Sequence, residues 1–313
     1  MNLTAITLDG KFNFPGEHEM NRNNTVSVVI LSYNRPRLLQ RAVRSALAQK
    51  YTDLDVVVVV NGADGATEKA LAGIADKRLR VIIFPVPVGA AKARNLGVTA
   101  AWGDWIGFMN DEDEWLPEKT VLQMEVARSS KYLYPIVTSQ FIVRASREDL
   151  AVPPTVPFQG LSEIQHASDR SAYSEGLLST ITMLFPKDLY GHVSVPEIPG
   201  RNQELDWMLR MIEHAGAGIE FVGKPLAVGH TTGQDRGVNV AGDWKSSFEW
   251  LESVRETITR RAYAGFITSR VAPQAARQGA LRELPFLLNR MLTYGTPTAH
   301  DMSLFVGILC ARH

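Results

Sequence analysis

Between Val26 and Met109 short apolar runs alternate with segments of helical spacing, and this alternation constrains the fold more than any other feature of the chain. Val26–Ser32 is an apolar run that ends in Tyr33-Asn-Arg-Pro36, the pattern of a buried strand closed by turn residues. Leu38, Leu39, Ala42, Val43, Ala46 and Leu47 then recur at helical spacing, so 37–49 is expected to be a helix. Asp55–Val60 is a second strand closed by Asn61-Gly62, 67–75 a short helix and 79–85 a third strand. Residues 90–101 form a further helix, and 104–109 a fourth strand that runs into Asn110-Asp-Glu-Asp-Glu114. Strands alternating with helices imply right-handed crossovers and a mostly parallel sheet, so the fold class is α/β.

The pattern is mixed beyond residue 125. Strands are expected at 136–143, 177–185 and within 218–230, and a helix at 204–215. Residues 151–175 read as a long Pro- and Ser-containing loop, of the kind that serves as a lid or binding loop. From Trp244 the chain is helical, with Phe248, Leu251, Val254 and Ile258 on one face. The expected organisation is an N-terminal arm or edge element over 1–24, an α/β domain over 25–243 with halves 25–125 and 126–243, and a helical region over 244–313. The last region carries nine basic and five acidic residues. Its helices are candidates for covering an acceptor, for a homodimer interface or for a peripheral membrane contact.

Composition narrows the function classes. The 33 basic and 33 acidic residues of this 313-residue chain cancel, which excludes binding of nucleic acid by bulk charge. The single cysteine, Cys310, cannot form an internal disulfide. No stretch has the form of an export signal or a membrane span, because residues 1–24 carry Asp9, Lys11, Glu17, Glu19 and Arg22 and the apolar runs elsewhere are short. The expected location is the cytoplasm, at the inner face of the membrane if the C-terminal helices rest on it.

Ligands of open α/β sheets bind at the carboxyl ends of strands. Three such ends carry polar groups here: Ser32-Tyr33-Asn34, Asn61-Gly62 and Asn110–Glu114. Four adjacent carboxylates repel one another unless a cation or water relieves them, and hard oxygen donors suit Mg²⁺ or Mn²⁺. A solvated acidic loop before a helix starting at Pro117 is the alternative.

The ordered set SVVILSYNRP (27–36), ALAQ (46–49), VVVVVNG (56–62), GAAKARNLG (89–97) and GDWIGFMNDEDEWLP (103–117) resembles family 2 glycosyltransferases, with a weaker likeness over 196–235. The resemblance implies a GT-A fold, a nucleoside-diphosphate sugar donor (a UDP-sugar foremost), a glycan or other hydroxyl acceptor, and inverting transfer with Mn²⁺ or Mg²⁺. It places Leu31, Ser32, Tyr33 and Arg35 at the base pocket and Arg94 near the diphosphate. Asn61 stands where relatives carry an aspartate against the base, and Asp64 is the nearest acid. The metal motif has two registers, Asn110/Glu112 or Asp111/Asp113; the second is preferred, with Asp111 also toward the nucleotide and Glu112 in reserve. Glu204 corresponds to the catalytic base, with Asp206 in support, while Trp207 fits either the core or the acceptor site. His230 matches a position from which relatives approach the metal or diphosphate, and Arg236 lies in a polar segment, 231–240, suited to closing over the donor. His166 has no motif context. The competing readings are a sugar-nucleotide nucleotidyltransferase, disfavoured by the absence of glycine in LSYNRPRL (31–38), and a non-catalytic sugar-nucleotide binder.

Overall fold

The computed structural model describes residues 2–5, 24–144, 149–152, 179–197, 203–230 and 243–310, which fall into two compact units. The loop 151–175 and the segment 231–240, with His166 and Arg236, lie outside the described residues but for Ala151 and Val152.

The first unit is built on one sheet of ten strands. Its elements are β1 (Asn2–Ala5), β2 (Val26–Ser32), α1 (Pro36–Leu47), β3 (Leu54–Asn61), α2 (Gly65–Ala72), β4 (Leu79–Phe84), α3 (Ala90–Ala100), β5 (Trp105–Asn110), β6 (Glu114–Trp115), α4 (Lys119–Ser129), β7 (Tyr134–Arg144), β8 (Asp149–Val152), β9 (Leu184–Pro186), α5 (Lys187–His192), α6 (Gln203–Glu213) and β10 (Ala217–His230). The strand order is β1-β4-β3-β2-β5-β9-β7-β10-β6, with β8 beside β7. From β1 to β5 every pairing is parallel; β9 is antiparallel to both β5 and β7, and β6 is antiparallel to β10.

The parallel half follows from the sequence. All eight residues of β3 are buried, as a central strand covered on both faces requires. Helix α1 starts on Pro36, whose missing N–H costs nothing at a first helical position, and buries Leu39, Ala42, Val43 and Ala46. Helix α3 approaches the sheet closely through Gly97, where a Cβ would lie 2.6 Å from Val29 Cγ1 and 3.0 Å from Val59 Cγ2. A buried ion pair braces the far end of the sheet: Arg80 of β4 donates to Asp55 of β3, which also accepts from Ser27 Oγ at 2.7 Å and from the Trp102 amide at 3.0 Å.

Two expectations change. The strand expected over 177–185 begins only at Leu184, because Thr180–Thr182 forms a 3₁₀ turn. Thr182 Oγ1 bonds back to the Ser179 carbonyl, and its own carbonyl takes Gln123 Nε2 at 2.6 Å, so the polar groups there are satisfied by turning. Helix α4 starts at Lys119 rather than Pro117, after β6 has paired with β10. Trp207 belongs to the core. Its ring is fully buried among Phe108, Phe185 and Tyr190, and its Nε1 donates to the Val193 carbonyl at 2.8 Å.

The second unit, in its described part, is helical: α7 (Trp244–Ser253), α8 (Arg260–Phe266), α9 (Ala272–Arg277), α10 (Leu284–Tyr294) and α11 (Ala299–Cys310). Leu251, Phe266, Val271, Leu287, Met291 and Phe305 are its buried apolar centre. Glu252 gathers the Tyr263 hydroxyl, Arg255 and Arg290. None of the described helices is long and apolar enough to cross a membrane.

Candidate active site

Strands β2 and β5 are parallel neighbours with Leu31 opposite Asn110, so the loops that leave their carboxyl ends emerge side by side. The β2 loop turns sharply at Asn34, which takes φ 54°, a left-handed conformation that asparagine tolerates better than most residues. The turn aims Ser32, Tyr33 and Arg35 at the loop after β5. Asp111 Oδ2 accepts from Ser32 Oγ at 2.8 Å and from the Tyr33 amide at 3.4 Å. Arg35 lies 3.4 Å from Asp111 Oδ1 and also bonds Glu112.

Asp113 faces the other way. Its Oδ2 accepts from Asn110 Nδ2 at 2.7 Å and its Oδ1 from the His230 amide at 3.2 Å. His230 arrives there because β10 pairs with β6, Val228 opposite Glu114. The His230 ring meets Glu114 Oε1 at 2.6 Å, and Arg41 of α1 lies 3.4 Å from the same oxygen while bonding the Glu112 carbonyl.

Burial gives these acids unusual electrostatics. The Asp113 carboxyl is pushed up to about 7, first by burial and further by the charges of Glu112 and Asp111, against the opposing hydrogen bonds from Asn110 and His230. Burial also raises Asp111, with Ser32 and Arg35 pulling against it. Of the two registers for the acidic motif, Asp111 and Asp113 are the buried pair at 5% exposure each, while Asn110 acts as a hydrogen-bond donor to Asp113. Among the described residues, no group of three or more His, Cys, Asp and Glu side chains stands arranged to hold a metal ion.

Next to the acids stands the ring of Tyr33. Tyr33 is 54% exposed, and its ring edge comes within 3.3 Å of where a Cβ on Gly62 would lie. Gly62 has φ 121°, so a side chain there would be strained as well as crowded. Asn61 spends its amide oxygen on the Val88 N–H at 2.8 Å, and Asp64 caps α2 by accepting from the Thr67 amide at 2.8 Å. Arg94 is buried on α3 with its guanidinium 5.3 Å over the Phe108 ring.

The structure therefore joins Ser32, Tyr33, Arg35, Asn110, Asp111, Glu112, Asp113 and His230 in one network, with Leu31 beside it in the sheet. Asp206 sits on α6 and pairs with Arg210 at 2.9 Å. Glu204 lies on the same helix, but its side chain is outside the described residues. Sequence reasoning placed Glu114 in the acidic run but missed Arg41 as a member of the network. The helical spacing that buries Ala42 and Ala46 also fixes which side of α1 carries Arg41, but the partner's position depends on β6, a two-residue strand with no periodicity to read.

A mostly parallel sheet with buried carboxylates and an exposed aromatic ring at its strand ends is an open α/β arrangement, whose ligands bind at the carboxyl ends of the strands. Residues 27–168, less than half of the chain, match the model of Glycosyl transferase family 2, and the fold is of GT-A type. The chain is 36% identical over 102 residues to the succinoglycan biosynthesis protein ExoO of Rhizobium meliloti (strain 1021), covering 33% of this chain and 29% of that one. Thus it spans less than a third of that relative's length. The likeness to the amylovoran biosynthesis glycosyltransferase AmsB of Erwinia amylovora is longer, 22% identity over 245 residues, covering 75% of this chain and 79% of AmsB. Among solved structures, S. aureus TarS 1–349 in complex with UDP-GlcNAc superposes with a TM-score of 0.55 at 18% identity, covering 91% of this chain and 79% of that one. That likeness establishes the fold.

Proposed function

We propose that the chain transfers a sugar from a nucleoside-diphosphate sugar to an acceptor hydroxyl in a single inverting displacement. The observation that carries this is the paired burial of Asp111 and Asp113 at the end of β5, with Asp111 tied to the Ser32–Arg35 turn of β2. The donor proposed is a UDP-sugar, the ligand class named for the TarS complex, and the acceptor a glycan or lipid-linked glycan, in keeping with the polysaccharide pathways named for ExoO and AmsB.

In this reading the Tyr33 ring and Gly62 receive the base, and Ser32 and Arg35 fix Asp111 toward the ribose and phosphates. Arg94 serves the diphosphate. Asp111 and Asp113 fit a divalent cation, Mn²⁺ or Mg²⁺: they are hard oxygen donors whose burial disfavours their charge, and such ions complete their shells with water and substrate phosphates. Glu112 and His230 flank this pair. When bound, the cation would offset negative charge on the departing diphosphate. Glu204 at the start of α6 takes the acceptor proton, with Asp206 in support. The Asp206–Arg210 pair suits a positioning role for Asp206.

The test is release of nucleoside diphosphate from UDP-sugars with Mn²⁺ and a panel of glycan acceptors. Asp113→Ala and Glu204→Ala are each expected to lower turnover by 10²-fold or more, on the scale of general acid–base catalysis. Full turnover in Glu204→Ala removes that residue as the base. Donor binding without turnover across the panel leaves a sugar-nucleotide binder.

A further inference from the structure

Helix α1 buries one face and presents Arg37, Gln40, Arg41 and Arg44 on the other. Steps of three and four residues stack these side chains into one stripe. With Ser45 and Glu114 they line an open groove of 410 Å³. Three guanidiniums thus stand against a single carboxylate, and Glu114 is already held by His230. Arg37 and Arg44 are exposed and form no ion pair or hydrogen bond through their side chains with any described residue. Arg41 Nε is buried and lies 3.4 Å from Glu114 without the alignment of a hydrogen bond.

We propose that this groove binds a phosphate-bearing anion of the phosphomonoester or diphosphate class. The guanidinium fork matches phosphate oxygens in a bidentate manner, and two adjacent forks on one helical face can share one diphosphate. The two excess positive charges match the charge of a single phosphoryl group more closely than that of a carboxylate. The ligand is soluble and not a membrane headgroup: among the described residues, none of the exposed large apolar side chains lies on α1 or β6 to enter a bilayer beside the groove. The groove adjoins the acidic loop through Glu114, so in an enzyme of the proposed activity it would seat a phosphate carried by a soluble glycan acceptor, not by a lipid-linked one. That extension rests on the proposed function; anion binding in the groove does not.

The experiment is a calorimetric titration of the full chain with inorganic pyrophosphate at low ionic strength. Arg37→Gln/Arg44→Gln is compared with Lys69→Gln, which removes an exposed charge from α2. The double variant is expected to weaken binding about tenfold or more, since it removes charge-assisted donors, and Lys69→Gln to leave it unchanged. Equal affinity in the double variant overturns the proposal, as does an equal loss in Lys69→Gln or the absence of binding to the wild type. Because pyrophosphate can also enter the donor site, phenylglyoxal labelling of the wild type supplies a residue-resolved readout that needs no variant to fold. Pyrophosphate is expected to protect Arg37 and Arg44, and labelling unchanged at both overturns the groove. Binding to phosphatidylglycerol vesicles that depends on both arginines, with no response to pyrophosphate, replaces the soluble ligand with a headgroup and equally overturns it.

Discussion

Replacing Asp113 by asparagine is expected to abolish one component of the pH dependence of stability and to leave the fold intact. The carboxyl of Asp113 is raised from 3.8 to about 7 by burial. The folded protein therefore holds this proton in a range where the unfolded chain has released it. The sign follows: the contribution is most favourable below the unfolded value, declines as pH rises past 3.8, and is exhausted once pH exceeds about 7. A shift of about 3 units corresponds to about 4 kcal/mol across the whole range, of which more than half falls between pH 5 and pH 8.

An asparagine cannot ionise, so this component disappears. It has only one oxygen, while Asp113 accepts from both Asn110 Nδ2 and the His230 amide. One donor loses its acceptor, at a cost of about 1 kcal/mol that does not vary with pH. The variant is thus less stable than wild type near pH 4 and more stable at pH 8. Urea unfolding at pH 4 and pH 8 without divalent cations measures both, as the difference between the two proteins at each pH. Identical pH slopes in wild type and Asp113→Asn would refute the burial argument. If the two aspartates take up Mn²⁺, adding it at pH 8 stabilises the wild type and not the variant.

Other sites give simpler outcomes. Asp55→Ala strands the buried Arg80 guanidinium and removes the acceptor of Ser27 and the Trp102 amide, so thermal or urea unfolding should show a loss of about 3–5 kcal/mol. Gly97→Ala drives a methyl group against two fully buried valines, Val29 and Val59, and is expected to cost about 1–3 kcal/mol by the same assay. Trp207→Ala should cost about 3–5 kcal/mol, because the ring is packed against three other aromatics and its N–H is satisfied.

The parallel half of the sheet was legible because each of its signals is local. Five valines in a row at 56–60 have no polar face, and Pro36 or Gly62 mark where runs must stop. The acidic run was legible for the same reason, as were the Tyr33 turn and Asn110. What the sequence withheld depends on pairings far along the chain. Asp55 precedes a valine run and looks like a strand edge, yet it is 1% exposed because Arg80, 25 residues later and opposite Val57 in the register of β3 and β4, reaches it with its guanidinium. Asp64 is the acid nearest Asn61 in sequence, but helix capping consumes it. Trp207 could have faced an acceptor; its place in the core depends on Phe185 and Tyr190, whose segment pairs antiparallel to β5 against the run of the sheet.

The acidic loop itself shows why composition and site differ. Asp111 to Glu114 are consecutive, yet each answers to a different element: Asp111 to the β2 turn, Glu112 to Arg35 and to Arg41 through its carbonyl, Asp113 to Asn110 and β10, and Glu114 to His230 and α1. Four like charges are tolerated because the loop is the junction of four elements, each supplying its own donors. Of the four acids, only Asp113 has no arginine among its side-chain hydrogen-bond or ion-pair partners in the described residues, and it is the acid that burial raises furthest.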